Sequence, residues 1–184
     1  FDLTGRRALV TGANAGIGQA IAVELASAGA HVICAGRRNC DATLAAIAAT
    51  QGTGEQAVAD FADPMAGQNL VQASGDLDIL VNNAGILRDK SFAKGTLDDF
   101  KLVVDVHLIG TATVTHAVWP IMREQKYGRI AVTASSSGLY GNFGQSNYGA
   151  AKSAMIGLMN VLHHEGAKST KFGKIIVVSF VPSW

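Results

Sequence analysis

The sequence predicts an α/β fold in which helices cover both faces of a parallel sheet. Six apolar runs typical of strands alternate with five helical stretches, a rhythm that indicates a doubly wound sheet. Two of the runs, at residues 79–81 and 175–178, are continuously apolar, as strands buried on both faces are. A glycine-rich loop follows the first run directly and opens the first helical stretch.

The elements follow one another without a linker or low-complexity segment, so we expect one domain, residues 1–184. The predicted strands are residues 7–10, 31–35, 56–59, 77–81, 129–133 and 174–181. The predicted helices are residues 16–28, 41–50, 64–74, 97–126 and 146–167. Pro120 should kink the fourth helix near its end.

The composition excludes several classes of protein. Of 184 residues, 48% are hydrophobic and 16% charged, which excludes a disordered chain. The net charge of +1 gives no electrostatic basis for binding nucleic acid or an anionic membrane. No apolar run is long enough to cross a bilayer, and no signal peptide opens the chain. Two cysteines do not form a disulfide framework, so we expect a reducing compartment and a cytoplasmic protein.

The loop after the first strand is a candidate phosphate-binding loop. Gly12 permits a sharp turn, Gly16 lets the backbone approach a pyrophosphate, and Gly18 lets helix and strand pack closely. The helix N-terminus offers free N–H groups to phosphates. We assign Asn14 and Ile17 to the same site. The alternative is a glycine-rich turn without a ligand.

The end of the second strand bears on the choice of nucleotide. No acidic residue is present there to bind the adenosine ribose hydroxyls. Arg37 could instead bind a 2′-phosphate through its guanidinium group, which favours NADP over NAD. The alternative is that Arg37 and Arg38 are solvated loop charges. Cys34, inside an apolar strand, is expected in the core.

A tyrosine and a lysine share one face of the last helix. Tyr148 and Lys152 are four residues apart, so an ammonium would lie beside the phenol. A neighbouring cation favours the phenolate, which makes a general acid or base usable near neutral pH. A hydroxyl-rich strand end at residues 135–137 adds possible partners.

Four motifs together resemble the short-chain dehydrogenase/reductase family, whose fold is Rossmann-like. They are the glycine loop at residues 11–18, Asn-Asn-Ala-Gly at residues 82–85, a serine at the fifth strand end, and Tyr148-x-x-x-Lys152. The resemblance covers essentially the whole chain. It implies hydride transfer between NAD or NADP and a carbonyl or secondary alcohol, with no metal.

The resemblance also assigns roles to single residues. Ser135, thirteen residues before the tyrosine, would hold the substrate oxygen, and Tyr148 would transfer the proton. Lys152 would favour the phenolate form of Tyr148, and both residues would contact the nicotinamide ribose. Asp60 should meet the adenine and Asn83 should lie beside the cofactor.

The family's proton relay includes an asparagine where this sequence has His107. The histidine could bind a water of the relay, or it could be an ordinary packed side chain. We therefore keep His107 as a candidate catalytic residue.

Different parts of the chain resemble different branches of the family. Residues 82–168 are similar to the (3R)-hydroxyacyl-CoA dehydrogenase branch of type 2 multifunctional enzymes, and residues 144–148 are similar to 3-oxoacyl reductases. Residues 1–36 are similar to sugar-acid dehydrogenases of the 2-deoxygluconate type. We expect a 3-oxoacyl or 3-hydroxyacyl thioester as substrate, with a sugar acid, or cofactor binding without turnover, as alternatives.

The family's fold continues beyond the sixth strand. Pro182 stands at the family's cofactor-binding proline, and the sequence given holds neither the seventh strand nor the loop that covers the substrate. We expect the helices at residues 97–126 and 146–167 to form the surface of a homodimer or a higher homo-oligomer.

Overall fold

The structure is a computed structural model that describes residues 2–168 and 175–180, with side chains described for residues 2–166. Six parallel strands form one sheet in the order β3-β2-β1-β4-β5-β6. The strands are β1 (Arg7–Thr11), β2 (His31–Gly36), β3 (Thr53–Val58), β4 (Ile79–Asn82), β5 (Gly128–Thr133) and β6 (Ile175–Phe180). The predicted doubly wound parallel sheet is confirmed.

The helices fall between the strands as the apolar periodicity predicted. They are α1 (Gly16–Ser27), α2 (Asp41–Ala49), α3 (Ala66–Ser74), α4 (Leu97–Val104), α5 (Gly110–Glu124), α6 (Ser137–Tyr140) and α7 (Ser146–Lys168). A π-helical segment, Asp105–Ile109, joins α4 to α5, and a short 3₁₀ turn spans Phe92–Lys94.

Successive residues of the central strand β1 pack into opposite layers. Leu9 belongs to a core cluster that includes Val114 of α5 and Met155 of α7. Its neighbours Ala8 and Val10 belong to a second cluster, with residues of α1 and α2. Apolar side chains on both faces explain why the central strands are continuously apolar.

The strand order reverses between β1 and β4, and the candidate functional residues lie in the loops at that point of the sheet. Val10 is opposite Val81, and Asn82 is opposite Val132, so β1, β4 and β5 end at the same edge of the sheet. In an open parallel sheet, ligands bind at the carboxyl ends of the strands where the order reverses. The loops after these three strands therefore meet in one place.

The predicted helix at residues 97–126 is a continuous run of helical residues from Leu97 to Glu124, with a π-helical turn near its middle. The π-helical segment Asp105–Ile109 inserts an extra residue into the turn, and α5 continues through Pro120. By length and composition alone residues 97–124 could span a membrane, contrary to the expectation from the sequence. This is weak evidence for a membrane span, since 44% of the apolar window is buried inside the protein, as in a core helix.

The sixth strand matches its prediction closely. Ile175–Phe180 pairs in parallel with all six residues of β5. The predicted cofactor contact at Pro182 lies outside the described residues.

Candidate active site

The glycine loop forms the turn between β1 and α1. Gly12 and Gly16 have φ of 68° and 58°, a left-handed conformation that favours glycine. A Cβ atom on Gly18 would overlap the carbonyl oxygen of Gly12, so only glycine allows α1 to start this close to the strand. In the described part of the chain, no side chain caps α1 at Ala15, and its first N–H groups are available to a ligand.

Asn83 and Thr11 hold the ends of three strands together. The hydroxyl of Thr11 accepts hydrogen bonds from the backbone N–H groups of Asn83 and Ala84, at 2.9 and 3.0 Å. The side-chain amide of Asn83 donates to the carbonyl oxygen of Thr11 at 3.1 Å and accepts from Thr133 at 3.2 Å. Asn83 is thus a scaffold beneath the glycine loop, and its amide is occupied by protein partners.

A cleft begins beside the glycine loop and contains four of the predicted nucleotide contacts. Gly12, Asn14, Arg37 and Asp60 line it, whereas Gly18 and Asn83 lie behind the loop. Ile17 lies in the first turn of α1. The cleft is also lined by Gly36, Arg38, Ala59, Phe61, Ala84, Gly85, Ile86 and Val106. Arg38 also lines the cleft, although the sequence analysis assigned it no role there.

The loop that carries the two arginines is held from below by Cys40. The backbone N–H of Cys40 donates to the side chain of Gln56 at 2.6 Å, and its thiol contacts the carbonyl oxygen of Cys34 at 3.5 Å. Arg37 and Arg38 themselves are exposed. As predicted, Cys34 is a core residue, and burial raises the pKa of its thiol to about 12.

Tyr148 and Lys152 lie at the end of β5, whose last residue, Thr133, is two positions before Ser135 in the strand-end loop. Ser135 and Lys152 are buried, and Tyr148 is half-buried. The ammonium nitrogen of Lys152 is 5.6 Å from the centroid of the Tyr148 ring and donates to the carbonyl oxygen of Thr133 at 2.5 Å. Burial lowers the pKa of Lys152 to about 8. The hydroxyl of Ser135 accepts from the N–H of Ser137 at 3.2 Å.

His107 lies within the π-helical segment and points at the same site. Its ring packs edge-to-face on Tyr148, with centroids 5.2 Å apart. The Nε2 atom is 3.0 Å from the N–H of Ile86 and 2.9 Å from its carbonyl oxygen, so it accepts or donates according to the tautomer. Nδ1 is buried and has no hydrogen-bond partner within the described residues. Burial, and next the charge of Lys152, lower the pKa of His107 to about 4, so the ring is neutral at pH 7.

These observations define a class of site: a dinucleotide-type cleft that opens beside a Ser–Tyr–Lys group. Three comparisons agree with this class. Residues 6–183 match the model of the short chain dehydrogenase family. The chain is 44% identical, over 94% of its length, to peroxisomal multifunctional enzyme type 2 of Drosophila melanogaster, and spans 31% of that protein. It is 40% identical, over 88% of its length, to acetoacetyl-CoA reductase of Shinella zoogloeoides, and spans 68% of that protein.

A solved structure superposes on the whole chain. It comes from Agrobacterium tumefaciens, is provisionally named a 2-deoxy-D-gluconate 3-dehydrogenase and has NADP bound. The TM-score is 0.91 at 39% identity, and the match covers 100% of this chain and 73% of the other. The chain belongs to the short-chain dehydrogenase family of NAD(P)-dependent oxidoreductases. It spans less than a third of the multifunctional relative's length.

Proposed function

We propose that the protein transfers a hydride between a nicotinamide dinucleotide and a 3-oxoacyl or 3-hydroxyacyl thioester. One observation carries the oxidoreductase proposal: Tyr148 and Lys152 lie side by side at the end of β5, where the strand stops two residues before Ser135. The ring of His107 connects them to the nucleotide-type cleft, since it packs on Tyr148 and contacts Ile86 of the cleft lining. The alternative without turnover keeps the cleft but has no use for a lysine buried against a tyrosine, and burying such a charge is costly.

The residues of the cleft fit a dinucleotide. The glycine loop leaves no room for a side chain at Gly18 and presents the first N–H groups of α1, which suit a pyrophosphate. Arg37, Arg38 and Asp60 lie along the cleft where an adenosine would extend from that loop. A bound nicotinamide would supply or accept the hydride.

The remaining chemistry is proton transfer and charge stabilisation by the chain's own residues. Tyr148 is placed to give a proton to a carbonyl oxygen, or to take one from an alcohol. The Lys152 ammonium lies 5.6 Å from the centroid of the Tyr148 ring, where a positive charge can oppose the negative charge that develops during proton transfer. The Ser135 hydroxyl can donate to the same substrate oxygen, where negative charge develops. His107 is neutral, and its Nδ1 has no protein partner in the part of the chain that the structure describes, so it can hold a water and extend a proton path toward solvent.

The thioester class is supported by two relatives at 40% identity or more. One is named acetoacetyl-CoA reductase and the other peroxisomal multifunctional enzyme type 2. The sugar-acid alternative is favoured by the Agrobacterium structure, whose name refers to 2-deoxy-D-gluconate. We prefer the thioester because large apolar side chains are exposed in the two segments that flank the catalytic residues: Leu87 in the loop after β4, and Leu139, Tyr140 and Phe143 between Ser135 and Tyr148. A polyhydroxylated acid would leave such side chains without complementary contacts.

We propose NADP as the preferred cofactor. Two exposed arginines, Arg37 and Arg38, line the cleft at the end of β2, where a guanidinium group can bind a 2′-phosphate. The NADP in the Agrobacterium structure supports the same choice.

We also propose a homodimer formed through α5 and α7. A groove between these helices is lined by apolar residues that include Trp119, Leu158 and Leu162, the kind of surface that a second copy can cover. Sedimentation equilibrium tests this, with Trp119→Lys expected to give monomer. For location we propose the cytoplasm, on the ground that both cysteines are free and buried.

A titration followed by turnover tests the function. NADPH and NADH are titrated separately, with energy transfer from the tryptophans as signal. Acetoacetyl-CoA or a keto-sugar acid is then added, and consumption of reduced cofactor is followed by absorbance. We expect turnover of the thioester, and Tyr148→Phe to lower it roughly 10²- to 10⁴-fold while cofactor binding persists. Binding without turnover of either substrate contradicts the enzymatic proposal, and turnover of the sugar acid alone contradicts the thioester.

A further inference from the structure

The segment that leads into the catalytic helix is bound to the loop after β4. We call residues 83–91 the β4 loop; the segment that it binds is residues 141–147, which includes the first two residues of α7. Across 56 positions of sequence, the side-chain N–H of Gln145 donates to the carboxylate of Asp89 at 2.8 Å. The backbone N–H of Lys90 donates to the carbonyl oxygen of Gly144 at 2.9 Å. The two segments are therefore joined beside the active site.

The other end of the Gln145 amide reaches the serine strand end. Its oxygen accepts from the hydroxyl of Ser137 at 2.7 Å and from the amide of Asn142 at 3.2 Å. Ser137 in turn donates its backbone N–H to the hydroxyl of Ser135. The side-chain amide of Gln145 thus connects the β4 loop to Ser137, the residue that hydrogen-bonds Ser135.

A second side-chain amide, that of Asn147, belongs to the residue that precedes Tyr148. Asn147 is 5% exposed, and its N–H donates to the carbonyl oxygen of Arg88 at 3.1 Å. Its oxygen accepts from the backbone N–H of Tyr148 at 2.7 Å. Both ends of a buried amide are satisfied, one on each segment, so the geometry of the pair is fixed.

The β4 loop is itself anchored at both ends. Ile86 is held by the imidazole of His107. Asp99 of α4 lies 3.0 Å from the ammonium of Lys90 and 3.7 Å from the guanidinium of Arg88. Because the β4 loop is fixed to α4 and to the π-helical segment, residues that bind to the loop are held in place relative to those two elements.

We infer that Gln145 and Asn147 are positioning residues that fix Tyr148 and Ser135 relative to the cofactor side of the site. Neither needs to touch the substrate to do so. The inference rests on the proposed function. A misplacement of about 1 Å can cost about 10²-fold in rate, so small displacements of the helix start matter even where stability changes little.

An exchange of donor and acceptor tests the Gln145 contact. Gln145→Glu alone places two carboxylates against each other, and Asp89→Asn alone removes the charged acceptor. The double variant D89N/Q145E restores one N–H to carboxylate hydrogen bond with the net charge unchanged. It also keeps a Glu oxygen for Ser137.

We expect Q145E to lower kcat with acetoacetyl-CoA about 10- to 100-fold with little change in KM for NADPH, and D89N/Q145E to recover most of it. Amide hydrogen exchange of residues 141–149, measured without cofactor, should rise in Q145E and return in the double variant. Asn147→Asp keeps the acceptor for Tyr148 but sets a carboxylate oxygen against the Arg88 carbonyl, and should lower kcat similarly.

Gln125 offers a matched control. Its amide donates to the carbonyl oxygens of Leu77 and Tyr127, at 2.7 and 2.8 Å, at the opposite end of the sheet. Gln125→Leu removes a comparable tie and should lower stability while kcat stays within about twofold of the parent. A kcat loss as large as that of Q145E would show a general structural effect and overturn the inference.

Two further outcomes overturn it. A rise in KM for acetoacetyl-CoA at unchanged kcat in Q145E, without rescue in the double variant, would mean that Gln145 binds the substrate. Unchanged exchange of residues 141–149 in Q145E and in Asn147→Asp would mean that neither side chain fixes the helix start. The exchange measurement needs no turnover, so an inactive parent protein overturns the proposed function while the positioning of Tyr148 is still decided.

Discussion

The imidazole of His107 occupies the space in which a side chain at position 85 would lie. A Cβ built on Gly85 would overlap Cε1 of the ring and approach Nε2 to 2.9 Å. The two residues are 22 positions apart and belong to the β4 loop and the π-helical segment. The glycine of the Asn-Asn-Ala-Gly motif therefore gives the histidine access to the active site.

Gly85→Ala should destabilise the protein by about 1–3 kcal/mol, the cost of forcing an extra carbon into packed surroundings. Urea denaturation measures the change. In the double variant G85A/H107S, serine at position 107 leaves room for the added methyl group. The loss of unfolding free energy in the double variant should therefore be smaller than the sum of the losses in the two single variants. Strict additivity would show that the clash is relieved elsewhere.

His107 should make the protein sensitive to acid. The unfolded imidazole titrates near its ordinary 6.5 and the folded one near 4, so the unfolded state binds more protons between these values. Unfolding free energy therefore falls as pH drops from 6.5 to 4, by about 3 kcal/mol for this group. His107→Asn should remove that part of the loss, measured by urea denaturation at intervals across the window.

The exposed His164 on α7 provides the control for this experiment, since it lies outside the groove proposed for the dimer. His164→Asn removes an imidazole away from the active site, and the acid sensitivity of this variant should match that of the parent. If both variants shift the pH dependence equally, the burial of His107 is not the cause.

Lys152→Met should abolish turnover and stabilise the fold. Below pH 8 the folded protein carries a buried ammonium whose pKa is lowered from 10.5 to about 8, which opposes folding. Removing it should raise the unfolding free energy at pH 7 by about 2 kcal/mol, after allowance for the lost hydrogen bond to Thr133. The advantage should shrink between pH 8 and 10.5, because the unfolded parent then binds more protons than the folded one. Thermal denaturation of the parent and of Lys152→Met, at pH 7 and again near pH 10.5, measures this advantage. An equal stability difference at both pH values would contradict the lowered pKa of Lys152.

Arg37→Asp should shift nucleotide preference toward NAD. Loss of a charge-assisted contact to a 2′-phosphate should weaken NADPH binding about 10- to 100-fold relative to NADH. Arg123→Asp makes the same charge change on the exposed end of α5 and should leave the ratio unchanged. Fluorescence titration of both nucleotides gives the ratio, and an unchanged ratio in Arg37→Asp would leave Arg38 as the residue to test.

Local patterns in the sequence were enough to predict the sheet, the glycine loop and the Tyr148–Lys152 helix. Strands and helices leave their period in the chain, and Gly18 records a close contact by lacking a side chain. The same periodicity predicted one helix at residues 97–126, with an irregularity only at Pro120. A π-helical segment adds a single residue to a turn, which an apolar stripe of that length tolerates, so Asp105–Ile109 was not foreseen.

Contacts between distant segments were not predictable from those patterns. Gln145 and Asp89 each read as ordinary polar loop residues, and only the fold brings them within 2.8 Å. The same holds for Gly85 and His107. Arg38 was given no role in the site because no local feature of the sequence separates an arginine that lines a cleft from one beside it.

The burial of both cysteines has a practical consequence for labelling. Burial raises the pKa of Cys34 to about 12 and also raises that of Cys40, so neither thiol forms much thiolate at neutral pH. Alkylating dyes and spin labels should therefore pass over both native thiols. A single cysteine introduced at the exposed Phe143 would carry the only reactive thiol among the described residues, and would report on the segment between Ser135 and Tyr148 in an otherwise unmodified chain.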